Sequence, residues 1–366
     1  MQRATNASSM KEQNRRLILS LINSGEHSRA DISRATGLTK AAVTMIVDEL
    51  IQNGYVSEYE CNHTGIGRKP LYLKLNSDSA YAIGINITRH HYEVGIINLC
   101  GEVLCEERQR IANPKTTINS ILKILNEQIK KHGIDNGKIL GTGITTPGPV
   151  DYRSNTILSP PNFEDWHNLT LDFISNIHLE NIANANALCE KYFGSCADTD
   201  NYIMLIINEG IGSGIVINNK IYRGNSGKGN EIGHISIDIN GKKCECGNIG
   251  CLEKYASIPS ILENTSYSSW QDVIESNDIT LIEKEADYLS CATATVVNLF
   301  DISTILLGGD VGYKGELIGK LLSEKLSNKV ITGCELNIIP IEKKSGVLSA
   351  GCIIIDDFFT RESDIT

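Results

Sequence analysis

Glu231-IGHISIDINGKKCECGNIGCLEKYA-Ser257 is the stretch from which the rest of the chain can be understood. Cys244, Cys246 and Cys251 follow His234 at short range, and one imidazole with three thiolates is a complete tetrahedral donor set for Zn²⁺. A closed four-ligand set is structural rather than catalytic, and thiolate and imidazole suit zinc. Cys244 and Cys246 can grip one ion from a tight loop in which Gly247 and Gly250 allow the turns. Cys251 closes the knuckle and His234 reaches in from the preceding segment. The bland alternative is three reduced cysteines beside a core histidine. The same stretch carries two carboxylates, Glu231 and Glu253, and acids held with a histidine beside a metal-locked loop suggest a polyol or sugar site.

Size and composition set the frame. At 366 residues the chain exceeds one ordinary core, so two or three domains are expected. No apolar run of about 18 residues and no charged-then-apolar opening is present, so a soluble cytoplasmic protein without membrane association is expected. The cysteines number 11, an odd count, and their only tight cluster has ligand spacing; most of Cys61, Cys100, Cys105, Cys189, Cys196, Cys291, Cys334 and Cys352 are expected to be buried small apolar residues in a reducing compartment. Net charge is −10, yet it is unevenly spread: residues 1–76 hold 10 Lys and Arg against 7 Asp and Glu (+3), and the remainder 24 against 37 (−13). A mildly basic head on an acidic body fits a DNA-binding domain joined to a ligand-binding domain.

The head predicts a winged helix-turn-helix. Gln13 to Asn23 carries an apolar stripe at Leu17, Ile18, Leu21 and Ile22, which is helical spacing, and Gly25 stops it. Ser28-Arg29-Ala30-Asp31 has capping-box form and opens a short helix through Thr36; Gly37-Leu38 makes the turn, and Thr39 caps a helix to about Asn53. Val43, Ile46, Val47, Leu50 and Ile51 share its inward face. Thr39, Lys40, Ala41, Thr44 and Met45 lie on the outward face and first turns, where small and polar side chains let a helix approach base edges. Ser28 and Arg29 are further candidate DNA contacts. Two strand-like runs, Tyr55–Glu60 and Leu71–Leu75, flank CNHTGIGRKP, a hairpin whose tip presents Arg68 and Lys69 to phosphate or minor groove. A three-helix scaffold for protein contacts is the competing reading.

From Tyr81 the pattern becomes α/β: strand-like runs at Tyr81–Ile87, Tyr92–Asn98 and Val103–Arg108, a helix at Ile118–His132, a strand at Ile139–Thr145, a helix at Asn184–Phe193, and strands at Tyr202–Asn208 and Gly214–Ile217. The alternation occurs twice, which predicts two similar lobes: 77–190, and 191–366 with the zinc loop and a C-terminal helix returning to the first lobe.

Several motifs then carry a family resemblance over nearly the whole chain: the GRKP wing tip, Gly143-ITTPGPV-Asp151, Pro160-Pro-Asn162, Asn208-EGIGS-Gly214, Tyr222-Arg-Gly224, and above all EIGH with CECGNIGCLE. The chain resembles the ROK group of sugar kinases and sugar-responsive repressors, and is most similar to its xylose repressors. The resemblance implies a two-lobed actin-like ATPase (ROK) fold behind the winged head, a sugar cleft between lobes, and a homodimer or tetramer. It also implies that Glu231, His234 and Glu253 line the sugar site, with Asn181 in the same polar set and Asn162 adding a contact. A metal-bound His234 keeps its second nitrogen for a hydroxyl.

Two departures from the kinase pattern stand out. The family's phosphate hairpin, Asp-x-Gly-Gly-Thr, here reads Asn86-Ile-Thr88-Arg89-His90; side chains replace the glycines that let backbone N–H groups approach phosphates. The Glu-Asn-Asp-Ala-Asn motif, whose Asp is the general base, reads Glu180-Asn181-Ile182-Ala183-Asn184, and isoleucine accepts no proton. The glycines at 210, 212 and 214 are then expected to persist as a structural turn, and Leu307-GG-Asp310 as a relic of the nucleoside side. No catalytic residue is expected. The chain reads as a repressor bound to operator DNA and controlled by a small sugar effector, with Ile182 favouring a pentose such as xylose. Two alternatives remain open: an active sugar kinase with a DNA-binding head, and a sugar-independent repressor governed by a protein partner.

Overall fold

The computed structural model describes residues 7–60, 71–331, 333 and 335–360. Its head consists of α1 (Ala7–Ser24), β1 (His27–Ser28), α2 (Arg29–Thr36), α3 (Lys40–Gln52), β2 (Val56–Glu60) and β3 (Leu71–Leu75), with a small antiparallel sheet in the order β1-β3-β2. The local signals operate as expected. Ser28 and Asp31 form a capping box for α2, Gly37 ends it at φ 71°, and Thr39 Oγ1 accepts from Ala42 N at 3.2 Å to start α3. α1 starts six residues before the expected Gln13, and its buried stripe is Ile18, Leu19 and Ile22, while Leu17 is 43% exposed. These side chains close over Val43, Ile46, Val47 and Leu50 of α3.

The body repeats one architecture. The first lobe contains β4 (Tyr81–Ile87), β5 (His91–Asn98), β6 (Val103–Arg110), α4 (Pro114–His132), β7 (Ile139–Thr146), a small sheet of β8 (Val150–Asp151), β9 (Thr156–Ile157) and β10 (Leu169–Thr170), then β11 (Ile177–Asn181) and α5 (Ile182–Phe193). The second contains β12 (Tyr202–Ile207), β13 (Ile211–Ile217), β14 (Lys220–Ile221), the short helices α6 (Glu253–Ala256), α7 (Ile258–Ile261) and α8 (Trp270–Glu275), then α9 (Ile279–Phe300), β15 (Thr304–Gly309), α10 (Glu316–Ser327) and β16 (Asn337–Pro340). The five-stranded sheets run β11-β7-β4-β5-β6 and β14-β13-β12-β15-β16, each with an antiparallel meander on one side and parallel strands on the other. This is the mixed sheet expected from strands paired by tight turns and then alternating with helices.

The last helix, α11 (Gly346–Thr360), lies on the first sheet, over β4 and β7. Two glycines permit this. A Cβ on Gly84 would collide with the Val347 carbonyl, and one on Gly143 with the Ala350 carbonyl, so helix backbone rests directly on strand backbone. α5 packs on both α11 and β13, and so sits where the lobes meet. It begins at Ile182, two residues before the expected start, because Asn181 Oδ1 accepts from Ala183 N at 2.8 Å and caps it there. Gly212 and Gly214 lie within β13 rather than in a turn, and a Cβ on Gly214 would press on the Ala183 carbonyl; only Gly210 is left at the bend.

Of the scattered cysteines, Cys189, Cys196 and Cys352 are buried, Cys100, Cys105 and Cys291 are half-buried, and Cys61 and Cys334 lie outside the described residues. No described helix is long and apolar enough to cross a membrane.

Candidate functional site

Between the lobes lies a cleft of about 650 Å³ whose lining includes Asn181, Ile182, Glu231, His234 and Glu253. They arrive from three places. Asn181 closes β11 and caps α5. Glu231 and His234 flank a single 3₁₀ turn, and Glu253 starts α6 just after the cysteine loop. Glu253 Oε2 accepts from Ile211 N at 2.9 Å, which fixes its carboxylate at the edge of β13. A Cβ on Gly148 would strike Asn181 and lie 3.4 Å from Glu231 Oε1, so the bare glycine makes room for both side chains. Glu231 is open to the cleft, yet protein crowds its carboxylate. That desolvation raises its carboxyl above the usual range; His234 opposes the rise and Glu253 adds to it. The result is a concave set of carboxylate acceptors, an amide and an imidazole, chemistry suited to polyhydroxyl ligands. Asn162 does not line the cleft. It is exposed at φ 56°, and its neighbour Pro161 takes the lining position.

Beside the cleft, His234, Cys244, Cys246 and Cys251 bring their donor atoms within 4.8 Å of one another, a group able to hold a metal ion. Cys246 Sγ and Cys251 Sγ are 3.7 Å apart, and Cys244 Sγ is 3.7 Å from His234 Nδ1. Two thiolates at ~2.3 Å on a tetrahedral ion stand roughly 3.8 Å apart, and a thiolate and an imidazole nitrogen roughly 3.6 Å, so the cluster is already close to ligating geometry. Positive φ at Gly247 (91°) and Gly250 (73°) provides the two turns of the knuckle.

The hairpin at residues 86–91 looks different. Asn86 Nδ2 donates to Glu93 Oε2 at 2.8 Å and its Oδ1 accepts from Thr145 Oγ1 at 2.8 Å, so both ends of the amide are engaged inside the first lobe. Thr88 Oγ1 donates to the His91 carbonyl at 2.8 Å. Arg89 projects into the cleft rather than into solvent. One contact was not predicted from the sequence motifs: Glu180, almost fully buried, accepts from Arg223 Nε at 2.7 Å and Asn184 Nδ2 at 2.9 Å, a clasp between the lobes that steadies the start of α5.

In the head, Thr39, Lys40, Ala41, Thr44 and Met45 are all exposed, Met45 by 55%, along the outward face of α3. Two of the expected contacts have their side chains engaged within the head. Ser28 is 8% exposed and its hydroxyl is engaged with Asp31 at 2.6 Å; Arg29 is held by Asp48 at 2.6 Å and Glu58 at 2.8 Å. Ser28 therefore caps α2, and Arg29 ties α2 to α3 and the wing sheet. Arg68 and Lys69 lie outside the described residues.

The head also touches the body through a defined seat. Phe358 of α11 packs against Tyr55 (centroids 5.1 Å) and under the Arg15 guanidinium (5.0 Å), and Asn23 Nδ2 donates to the Tyr192 carbonyl of α5 at 3.1 Å.

Comparison with known proteins adds six findings. Residues 82–353 match the ROK family model and residues 10–57 a winged helix-turn-helix DNA-binding model. The xylose repressor of Caldicellulosiruptor bescii is 31% identical, covering 96% of this chain and 97% of its own, and the N-acetylglucosamine repressor of Escherichia coli is 25% identical over 91% and 89%. The crystal structure of a ROK family transcriptional regulator, a homologue of the E. coli MLC protein, superposes with a TM-score of 0.78 over 96% of this chain and 97% of that one, at 25% identity. A ROK family glucokinase from Streptomyces griseus, with glucose and AMPPNP, shares the fold at a TM-score of 0.63 over 75% of this chain and 99% of its own, at 24% identity.

Proposed function

The chain belongs to the ROK family, and on that premise we propose that it is a cytoplasmic DNA-binding transcriptional repressor of sugar-utilisation genes, with a small sugar, xylose or another pentose, as its effector. The observation that carries this reading is the course of α11. Its first turn lines the cleft and its last turn forms the seat of the head, so one rigid element touches both the ligand cavity and the DNA-reading domain.

Asn181, Glu231, His234 and Glu253 take the sugar hydroxyls. Ile182, a branched aliphatic group at the same wall, favours a ligand without an exocyclic hydroxymethyl there. His234, Cys244, Cys246 and Cys251 hold a structural Zn²⁺, and the donor spacings support that assignment. The ion cross-links the loop that carries Glu231 and Glu253 on either side. His234 Nδ1 faces the thiols, which leaves Nε2 for a hydroxyl.

The repressor does not phosphorylate its sugar. Loss of a general base costs about two to four orders of magnitude in rate, and Ile182 stands where the family's kinases keep theirs. The engaged Asn86 and the side chains of Thr88 and Arg89 support the same conclusion on the phosphate side. A homodimer sets two α3 helices on an inverted-repeat operator, with half-sites about one helical turn or a multiple apart. Thr39, Lys40, Ala41, Thr44 and Met45 face the groove. Sugar favours closure of the lobes, and roughly 1–3 kcal/mol of coupling lowers operator affinity about 5- to 150-fold.

An operator mobility shift at one fixed salt concentration, with and without D-xylose, tests the reading. A shifted band that xylose releases supports it. Release by no sugar points to control by a protein partner, and sugar-dependent ATP consumption in a coupled assay overturns the non-enzymatic part.

A further inference from the structure

Two hairpins face one another across the mouth of the cleft. The bend between β4 and β5 (88–90) belongs to the first lobe, and the bend between β12 and β13 (208–210) to the second. His90 Nε2 and Glu209 Oε1 meet there at 3.0 Å, so the hairpins are already within contact of each other.

Just inside that contact lies Arg89. Its Nε donates to the Pro161 carbonyl at 3.0 Å, which orients the guanidinium and leaves its terminal nitrogens for another acceptor. A Cβ built on Gly210 would be 3.9 Å from Arg89 Nη1 and 2.7 Å from Glu253 Oε2. The cation and the carboxylate oxygen are therefore separated by no more than the sum of those two lengths, about 6.6 Å, with the bare Gly210 backbone beside them. They form no ion pair with each other. One bridging hydroxyl fits inside that bound: an O–H donating to a carboxylate takes ~2.6 Å and an N–H donated by a guanidinium ~2.8 Å, so a single hydroxyl spans at most about 5.4 Å.

Resting on the sugar-effector reading above, we infer that Arg89 is a ligand-binding residue. One sugar hydroxyl accepts from Arg89 of the first lobe and donates to Glu253 of the second. The guanidinium thus does more than obstruct phosphate; it makes a single hydroxyl the bridge between lobes. Selectivity follows, because a ligand lacking that hydroxyl leaves the terminal nitrogens of Arg89 and the remaining acceptor sites of Glu253 without their shared partner. Gly210 is required in this arrangement, since any side chain there would fill the hydroxyl's place.

Calorimetric titration of the full chain tests this with D-xylose, its monodeoxy analogues, D-glucose and N-acetyl-D-glucosamine, using the unmodified protein, Arg89→Ala and Arg89→Lys, with circular dichroism to verify folding. The unmodified protein is expected to bind one monodeoxy analogue about tenfold or more weakly than the parent sugar. Arg89→Ala is expected to weaken the parent sugar by a similar factor and to lose discrimination against that analogue. Arg89→Lys, which restores a cation without the planar fork, should recover part of the affinity. Equal affinity of Arg89→Ala and unmodified protein for the parent sugar, or undiminished discrimination by Arg89→Ala, overturns the role of Arg89 and leaves the effector reading standing. Failure of the unmodified protein to bind any sugar of the panel overturns both.

Discussion

Tyr192 Oη donates a 2.7 Å hydrogen bond to Asp356 Oδ1, and this bond joins the two helices that lead from the cleft to the head. α5 begins at the cleft-lining Ile182, and the Tyr192 carbonyl in its last turn accepts from Asn23 of the head. α11 begins at Gly346, also in the cleft lining, and ends beneath Tyr55. Coupled at their far ends, the two helices present a common support to α1.

The first prediction concerns that support. Asp356 is half-buried where α5 and α11 meet, and its desolvation raises its carboxyl above the ordinary value of 3.8, although Tyr192, Arg223 and Lys191 pull it back. In the window above 3.8 the folded chain holds a proton that the unfolded chain has released. Stability therefore falls as pH rises through that window and is fully reduced above the folded value. Asp356→Asn keeps an acceptor for Tyr192 and removes the titration. Thermal melts from pH 4 to pH 8 should show the variant gaining on the parent as pH increases. A constant difference across the range would mean that Asp356 titrates normally.

Phe358 is the second test, because it is where α11 meets the head. Its half-buried ring contacts Tyr55 and Arg15, so Phe358→Ala is expected to cost about 2 kcal/mol, less than truncation of a fully buried Phe. The more telling outcome is functional. The variant should still retard operator DNA, and xylose should release it far less effectively, since the proposed coupling runs through this contact. Mobility-shift titrations with increasing xylose measure this directly; an unchanged response would place the coupling elsewhere.

For the metal loop, the expectation is loss of order around the cleft rather than loss of DNA binding. Cys246→Ser removes one thiolate from the four-donor cluster and should abolish tight zinc retention, measured as metal content after dialysis. Glu231 and Glu253 sit on the two flanks of the loop, so sugar affinity should fall together with zinc content. Chelator treatment of the unmodified protein should reproduce both effects. Full sugar affinity in metal-free protein would separate the loop from the site.

Elements governed by neighbours in sequence were legible from the sequence; contacts between distant residues were not. The Ser28–Asp31 capping box, the Gly37 stop and the Thr39 cap are interactions within three or four residues, and each emerged where its pattern predicts. Arg29 shows the limit. In sequence it is an available cation at a helix start, while in the fold Asp48 and Glu58, 19 and 29 residues away, claim it. Gly214 read as a turn glycine because its reason for being small, the Ala183 carbonyl, lies across the lobe boundary. Asn162 belonged to a motif, but a motif does not specify which of its side chains faces the cavity, and Pro161 does. Among the cleft residues, Glu231, His234 and Glu253 were visible because they bracket a metal-type loop. Arg89 was visible only as an obstruction, since its placement opposite Glu253 depends on how two lobes meet.

Ile182 permits the sharpest test of the non-enzymatic reading. It is the first residue of α5, lines the cleft and follows the cap residue Asn181. Ile182→Asp places a proton acceptor where the proposed reading finds no general base. It leaves Asn86 bonded to Glu93 and Thr145, and it leaves Thr88 and Arg89 in the phosphate hairpin. Since phosphoryl transfer depends on positioning and charge stabilisation of the phosphates as much as on the base, sugar-dependent ATP turnover should remain undetectable in a coupled assay. The change should appear in ligand choice. A carboxylate in place of a branched apolar group can accept from an exocyclic hydroxyl, so the ratio of glucose to xylose affinity should rise by about tenfold. Appreciable turnover from this single substitution would show that the phosphate side is intact and that one side chain alone separates this chain from a kinase.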